Sequence, residues 1–282
     1  MSELWKGKPV ADALDVDTTA RVEALKAKGV IPTLAILRVG EREDDLAYER
    51  GALKRCEKNG VAVKQVVLPA DVSQDELLST IASLNEDASV HGVLMFRPLP
   101  KHLNEAEACE ALLPEKDVDG ITRGSMASIY SGSGAGFAPC TAEACVAMLD
   151  HYGYELKGKR AVVIGRSLVI GKPVAMLIMA RHATVTVCHS RTLDMPSITK
   201  EADLVIAALG RGESITGEYF VPGQTVLDVG INWSEEKNKL VGDVAFDEAD
   251  PIVANLTPVP AGVGSVTTAI LVRHTVEAAE GC

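Results

Sequence analysis

A short apolar run from Arg160 to Ile164 ends at Gly165, followed by Arg166 and Ser167 and then by Gly171-Lys172-Pro173. A glycine turn between a strand and a helix aims backbone N–H groups and a helix N-terminus at one point, where a pyrophosphate can sit. The spacing is not GxGxxG: Ser167 stands where the second glycine would be, and Gly171 comes one place late. Alone, such a turn is explained equally well as a structural one. The next apolar run adds information. Val187-Cys188 leads into His189-Ser190-Arg191-Thr192, with no carboxylate to hold a ribose 2′-hydroxyl but with a guanidinium and two hydroxyls. Together with Arg166 this chemistry suits a 2′-phosphate, against the alternative that both arginines are solvated surface charges. The predicted cofactor is therefore NADP, held at Gly165, Arg166, Ser167, Ser190 and Arg191.

The elements that must position these groups alternate along the chain. Pro32 to Val39 reads as a buried strand, Asp44 to Asn59 as a helix stopped at Gly60, and Val61 to Leu68 as a second strand. Ser73 to Asn85 reads as a helix with Ser73 as N-cap, and Val90 to Phe96 as a strand halted by Pro98 and Pro100. Asn104 to Leu113 and Thr141 to Tyr152 are further predicted helices, the latter with Thr141 as N-cap; the Ser- and Gly-rich Gly124 to Gly136 between them reads as a loop. A second cycle starts at Lys159: strands at Arg160 to Ile164, Ala183 to Cys188, Asp203 to Ala208 and Thr225 to Val229, a helix at Val169 to Arg181, and Lys239 to Asp243 as one more parallel-strand candidate. Ser265 to Ala279 reads as a closing helix. The expected fold is α/β and two-lobed: an N-terminal α/β substrate lobe over residues 1–145, to which the helix 265–282 returns, and a Rossmann-type doubly wound parallel sheet over residues 146–264.

Composition agrees. A chain of 282 residues exceeds what one core comfortably serves, and 47% hydrophobic with only 4% aromatic residues implies a Val, Ile, Leu and Ala core. The formal net charge of -11 argues against nucleic acid, and there is no polybasic segment for an anionic membrane. No apolar stretch reaches the length of a membrane span, and MSELWKGKPV lacks a signal-peptide core, so a cytoplasmic location is expected. Cys56, Cys109, Cys140, Cys145, Cys188 and Cys282 show no CxxC and no metal spacing; they read as reduced thiols, with no metal expected.

The order and spacing of several short segments make the chain resemble the bacterial bifunctional methylenetetrahydrofolate dehydrogenase/methenyltetrahydrofolate cyclohydrolase (FolD-like) family. They are Lys116-Asp-Val-Asp-Gly120, Pro139-Cys-Thr141, Gly165-Arg-Ser with Gly171-Lys-Pro173, Cys188-His-Ser-Arg-Thr192, Asp228-Val-Gly-Ile-Asn232, Gly242-Asp-Val244 and Thr257-Pro-Val-Pro260. The resemblance implies a cleft between the lobes, a homodimer and tetrahydrofolate one-carbon derivatives as substrates. It assigns Asp119 to the pterin ring, where a carboxylate can accept two N–H bonds from a 2-amino-pyrimidinone edge. It also places Tyr48 in the folate site, Ser190 and Ile231 on the cofactor, and the loop carrying Pro258, Pro260, Gly262 and Gly264 against both ligands. By residue type alone, Asp119 could equally cap a turn, and Tyr48 could be a half-buried core tyrosine.

Two departures bear on chemistry. The family has a lysine four residues after its tyrosine, used for proton transfer in the cyclohydrolase step; this chain has Ala52 there, one helical turn from Tyr48. Lys54 lies about 200° further around the helix. The family's glutamine before the Leu-Pro-Leu-Pro turn, poised to bond that lysine, is Phe96 here. The coupled losses imply NADP-dependent oxidation of 5,10-methylenetetrahydrofolate to the methenyl form with weak or absent cyclohydrolase, a separate hydrolase then acting downstream. Two other readings stay open: a fully bifunctional enzyme, with Lys54, Arg50 or Arg97 reaching the site, and a non-catalytic nucleotide- or folate-binding regulator. In the loop, Ala261 replaces a usual glycine and Ser265 a usual proline.

Overall fold

In the computed structural model, which describes residues 1–281, the apolar runs become strands and the patterned runs between them become helices. In chain order these are β1 (Glu3–Leu4), α1 (Gly7–Ala27), β2 (Thr33–Val39), α2 (Glu43–Asn59), β3 (Ala62–Leu68), α3 (Gln74–Glu86), β4 (Gly92–Met95), α4 (Glu105–Ala111), α5 (Arg123–Ser131) and α6 (Cys140–His151). The second cycle continues with β5 (Arg160–Ile164), α7 (Gly171–Ala180), β6 (Thr184–Cys188), α8 (Met195–Thr199), β7 (Leu204–Ala207), β8 (Thr225–Asp228), β9 (Asn232–Ser234), β10 (Lys239–Val241), α9 (Phe246–Ala249), β11 (Asn255–Leu256) and α10 (Thr267–Glu280). The chain divides into two compact units, one of Ala13–Cys140 with the helix from Thr268, the other of Met1–Asp12 with Thr141–Thr267. The first twelve residues thus group with the later part of the chain, where a contiguous 1–145 lobe was expected.

The 13–140 unit is built on a parallel sheet in the order β3-β2-β4, with Leu34 paired to Val63 on one side and Gly92 on the other. The central strand β2 is buried from Leu34 to Val39, its apolar run interrupted only by Arg38. Helix α2 turns the stripe Asp45, Glu49, Ala52, Cys56 and Asn59 inward at helical spacing, and Gly60 ends it in the left-handed region at φ 72°. Its buried polar members need partners. The Glu49 carboxylate accepts from Arg38 Nε at 3.0 Å and Gln65 Nε2 at 2.7 Å, while Asn59 donates to Asp15 at 2.9 Å. The segment read as a loop at Gly124 to Gly136 contains a helix, α5, capped by the Thr122 hydroxyl, which accepts from Ser125 N, and ended by Gly132 at φ 71°. The buried Asp117 carboxylate fixes its start by accepting from the N–H groups of Ile121 and Thr122 and from the Ser125 hydroxyl. Local side-chain capping by Thr122 and Asp117 here overrides a Ser- and Gly-rich composition.

The 141–267 unit carries a six-stranded parallel sheet in the order β1-β11-β8-β7-β5-β6. From β5 the chain moves outward to β6, then crosses back to β7 on the other side of β5, so the strand order reverses at the β5/β7 boundary. The carboxyl ends of strands at such a reversal form a ligand crevice. Two expectations fail here. Lys239 to Asp243 adds no parallel strand: β10 pairs antiparallel with β9, Leu240 opposite Trp233. Thr141 is not an N-cap, because α6 already begins at Cys140. The two-residue strand β1, paired with β11 through Glu3 and Asn255, has too short a pattern to read from sequence.

Candidate active site

At the carboxyl end of β5, Gly165 adopts φ +136°, and a Cβ there would collide with the Ala208 carbonyl at the end of neighbouring β7. A Cβ on Gly171 would collide with the Gly165 carbonyl. Both positions therefore require glycine, so the turn packs its backbone tightly and leaves its outer side open. Ser167, standing in place of the missing glycine, closes the turn ahead of α7: its hydroxyl accepts from Ile170 N at 3.1 Å and its carbonyl from Lys172 N at 3.0 Å. Arg166 and Ser167 are exposed. The Gly165 N–H donates to the Cys188 carbonyl at 2.8 Å, which sets this turn beside the end of β6, where Ser190 and Arg191 are also exposed. Among the described residues neither Arg166 nor Arg191 is engaged in an ion pair. The Thr192 hydroxyl is spent on the loop itself, accepting from His189 N at 2.9 Å. The five expected cofactor residues thus converge, and a crowded glycine turn beside two unengaged guanidiniums suits a diphosphate with one further phosphate.

Ile231 lies apart from them, after β8, and is 60% exposed. With Gly230 and the segment Pro258 to Ser265 it lines a pocket of about 280 Å³. Pro260 and Gly262 line the same pocket; a Cβ on Gly262 would collide with the Pro258 carbonyl. Ala261 sits at φ 80°, the left-handed region that favours glycine, the residue the family resemblance leads one to expect there. Gly7 buttresses the loop by donating to the Ala261 carbonyl at 2.9 Å, a contact with no signal in the sequence.

In the 13–140 unit, Tyr48 is half-buried on α2, and its ring meets that of Phe96 edge to face at 5.9 Å and 83°. Ala52, one turn further along the same helix, is fully buried. Lys54 and Arg50 are exposed, and Arg97 pairs with Glu105 at 3.8 Å. Asp119 follows the buried Asp117 turn, and Gly120 at φ 67° lets the chain pass against Pro139. Burial pushes the Asp119 carboxyl up to about 6, the Cys140 thiol and N–H partly offsetting this as hydrogen-bond donors while the charge of Asp117 adds to it.

Asp45 is the residue that sequence reasoning missed. It occupies the buried stripe of α2 one turn before Tyr48 and Glu49, with its side chain 8% exposed. Its nearest partner is Arg42 Nε at 3.9 Å, beyond hydrogen-bond reach, and burial raises its carboxyl above the usual range. The run Glu43-Asp44-Asp45 reads as first-turn acidic residues serving the helix dipole, which hid it.

The five cysteines among the described residues are free and buried, and Cys282 lies outside those residues. Among the described residues no cluster of His, Cys, Asp or Glu could hold a metal ion, and no helix is long and apolar enough to cross a membrane.

Comparison with known proteins places this geometry. Residues 5–119 match the tetrahydrofolate dehydrogenase/cyclohydrolase catalytic domain, and residues 139–282 match the NAD(P)-binding domain of the same family. The bifunctional protein FolD of Carboxydothermus hydrogenoformans is 49% identical over 281 residues, covering 99% of this chain and 98% of the relative. The crystal structure of the bifunctional FolD from Campylobacter jejuni superposes with a TM-score of 0.96 at 36% identity, over 100% of this chain and 99% of that one. The Trypanosoma brucei methylenetetrahydrofolate dehydrogenase-cyclohydrolase, solved with NADP and an inhibitor, gives a TM-score of 0.92 at 35% identity, over 99% and 98%. This chain belongs to the tetrahydrofolate dehydrogenase/cyclohydrolase family.

Proposed function

We propose that this protein oxidises 5,10-methylenetetrahydrofolate to 5,10-methenyltetrahydrofolate with NADP, and hydrolyses the methenyl product weakly or not at all. The observation that carries the reading is the fully buried Ala52 methyl one turn from Tyr48, with Phe96 packed on the tyrosine ring. Bound NADP supplies the chemistry of hydride acceptance at the nicotinamide C4, and the folate nitrogens stabilise the resulting cation. Hydride departure releases no proton, so the dehydrogenase step needs orientation and exclusion of water rather than an acid–base group. In this reading Gly165, Ser167 and the end of α7 hold the pyrophosphate, and Arg166, Ser190 and Arg191 hold the 2′-phosphate. Ile231 fixes the nicotinamide, and Pro260 and Gly262 shape the wall that faces the ligands. Asp119 accepts the pterin N–H groups and Tyr48 lines the folate.

Hydrolysis is a different demand. Water must be deprotonated and a ring nitrogen protonated, for which a placed acid–base group contributes about 10²- to 10⁴-fold. Neither an alanine methyl nor a phenylalanine ring moves a proton, and the exposed Lys54 and Arg50 point to solvent.

A second reading, full bifunctionality, has two supports: the names of the relatives, and Asp45, a buried carboxylate without a hydrogen-bond donor on the same helix stripe. One assay separates the two. Purified protein is given methylenetetrahydrofolate with NADP, then with NAD, and separately methenyltetrahydrofolate alone. NADPH formation with methenyl decay at the buffer rate is expected. Methenyl decay well above the buffer rate overturns the loss of cyclohydrolase, and equal rates with NAD overturn the 2′-phosphate site. The same proposal includes a cytoplasmic homodimer, checked by sedimentation, and a separate cyclohydrolase acting on its product.

A further inference from the structure

Two carboxylates in the 141–267 unit are buried without any role in the reading above. Asp228 ends β8, and Asp243 follows β10; their residues are 4% and 0% exposed. The Asp228 carboxylate accepts from three backbone N–H groups: Gly230 and Asp243 at 3.0 Å each and Val244 at 2.9 Å. The Asp243 carboxylate accepts from the N–H groups of Leu209 at 2.6 Å, Gly210 at 3.0 Å and Arg211 at 2.8 Å. Its fourth donor is the Asn232 amide at 3.0 Å. One carboxylate thereby gathers the loop leaving β7, and the other ties the loop leaving β8 to the strand returning from β10. Gly230 and Gly242 are the counterparts of this arrangement: a Cβ on the first would strike the Asp243 carboxylate, and on the second the Asp228 carboxylate.

Such a pair is costly to keep. Burial pushes the Asp228 carboxyl up to about 7 despite its three donors, and Asp243 adds like charge. A turn that only had to close could use backbone carbonyls instead. What the pair does is fix the loop between its two anchors, Gly230 on one side and Asn232 on the other. The residue held between them is Ile231, whose exposed side chain forms part of the 280 Å³ pocket wall opposite the Pro258 to Ser265 segment.

We propose that Asp228 and Asp243 form a carboxylate clasp whose task is to position the nicotinamide end of the cofactor, by locking Ile231 and the loops leaving β7 and β8 in one conformation. They are positioning residues, acting through the backbone rather than by touching the reacting atoms. The proposal rests on the dehydrogenase reading. It predicts an asymmetry that general destabilisation lacks: loosening the clasp weakens the cofactor and slows hydride transfer while folate affinity stays.

The test uses the full chain and two variants. Asn232→Ala removes one of the four donors to Asp243 and leaves both carboxylates in place; Asp243→Asn turns an amide NH₂ toward backbone N–H groups and is the harsher change. NADPH binding is read directly by nicotinamide fluorescence, alongside KM for each substrate, kcat and thermal unfolding. Asn232→Ala is expected to raise the NADPH Kd and the NADP KM by about threefold to tenfold and to lower kcat, with the folate KM within about twofold. Asp243→Asn, where it folds, is expected to show the same split with larger size. If Asn232→Ala binds NADPH and turns over like the parent, or if the KM values for both substrates rise together with a falling melting temperature, the clasp is a structural device only and the proposal is overturned. If the parent protein itself fails to bind NADPH, it is the cofactor reading that fails, which the direct binding measurement separates from failure of the clasp.

Discussion

The two units achieve specificity by different means. In the 141–267 unit the candidate site is mainly backbone: Gly165 and Gly171 are crowded against carbonyls, and loops are drawn together by Asp228 and Asp243. In the 13–140 unit it is mainly side chain, with Tyr48, Phe96, Ala52 and Asp119 presented by a helix, a strand end and a turn that would fold with other residues in those places. The difference teaches where function can change cheaply. A glycine of the backbone site tolerates little, because a Cβ there meets a steric wall; a position that presents only a side chain can change and keep the fold.

The largest effect should come from the backbone site. Gly165→Ala puts a methyl into the Ala208 carbonyl at φ +136°, so we expect dehydrogenase activity to fall by at least about 10²-fold with NADPH binding lost. Retained NADPH affinity in that variant would break the comparison. Next comes Asp119→Asn, expected to lower kcat/KM for the folate by about 10- to 10²-fold, because the amide keeps one acceptor oxygen and turns an NH₂ donor toward the second N–H. Its wild-type counterpart is a pH profile. The Asp119 carboxyl, raised to about 6, accepts both bonds only when ionised, so the folate KM should be flat above pH 7 and rise as pH falls through 6. A KM independent of pH from 5 to 8 would remove Asp119 from the pterin.

Smaller in expectation is a gain of function. Ala52→Lys combined with Phe96→Gln places a proton-moving amine and an amide to hydrogen-bond it on the Tyr48 face and should raise methenyl hydrolysis by about tenfold or more above the parent. It should also cost stability of about 1–3 kcal/mol, because position 52 is fully buried. Stopped-time hydrolysis and thermal melts check both parts, and hydrolysis already fast in the parent would shift attention to Asp45. The smallest effect belongs to Ala261→Gly, which relieves a Cβ at φ 80° and should stabilise the protein by up to about 1 kcal/mol in denaturant titrations.

Much of this arrangement is legible in the residues. The largely apolar runs within Thr33 to Val39 and Arg160 to Ile164 point to buried strands, and their alternation with helices points to parallel pairing. The glycine turn at 165 and the guanidinium at 191 mark consecutive strand ends, so their convergence follows from strand pairing alone. Helical spacing likewise sets Ala52 one turn from Tyr48 without any coordinates. These features are local, with periods of two or 3.6 residues and caps within one turn.

What the residues could not tell is what depends on partners distant in the chain. β1 is a strand only because β11 lies beside it. Asp45 looks like a solvated first-turn acid until the sheet buries it, and Asp228 and Asp243 look like turn residues until seven N–H donors are counted around them. Burial and hydrogen-bond satisfaction are properties of the assembled fold. The residues alone thus carry the α/β architecture, the glycine turn at 165 and the alanine one turn from Tyr48. Only the tertiary structure decided which carboxylates are buried, because desolvation exists only once distant segments have closed around a group.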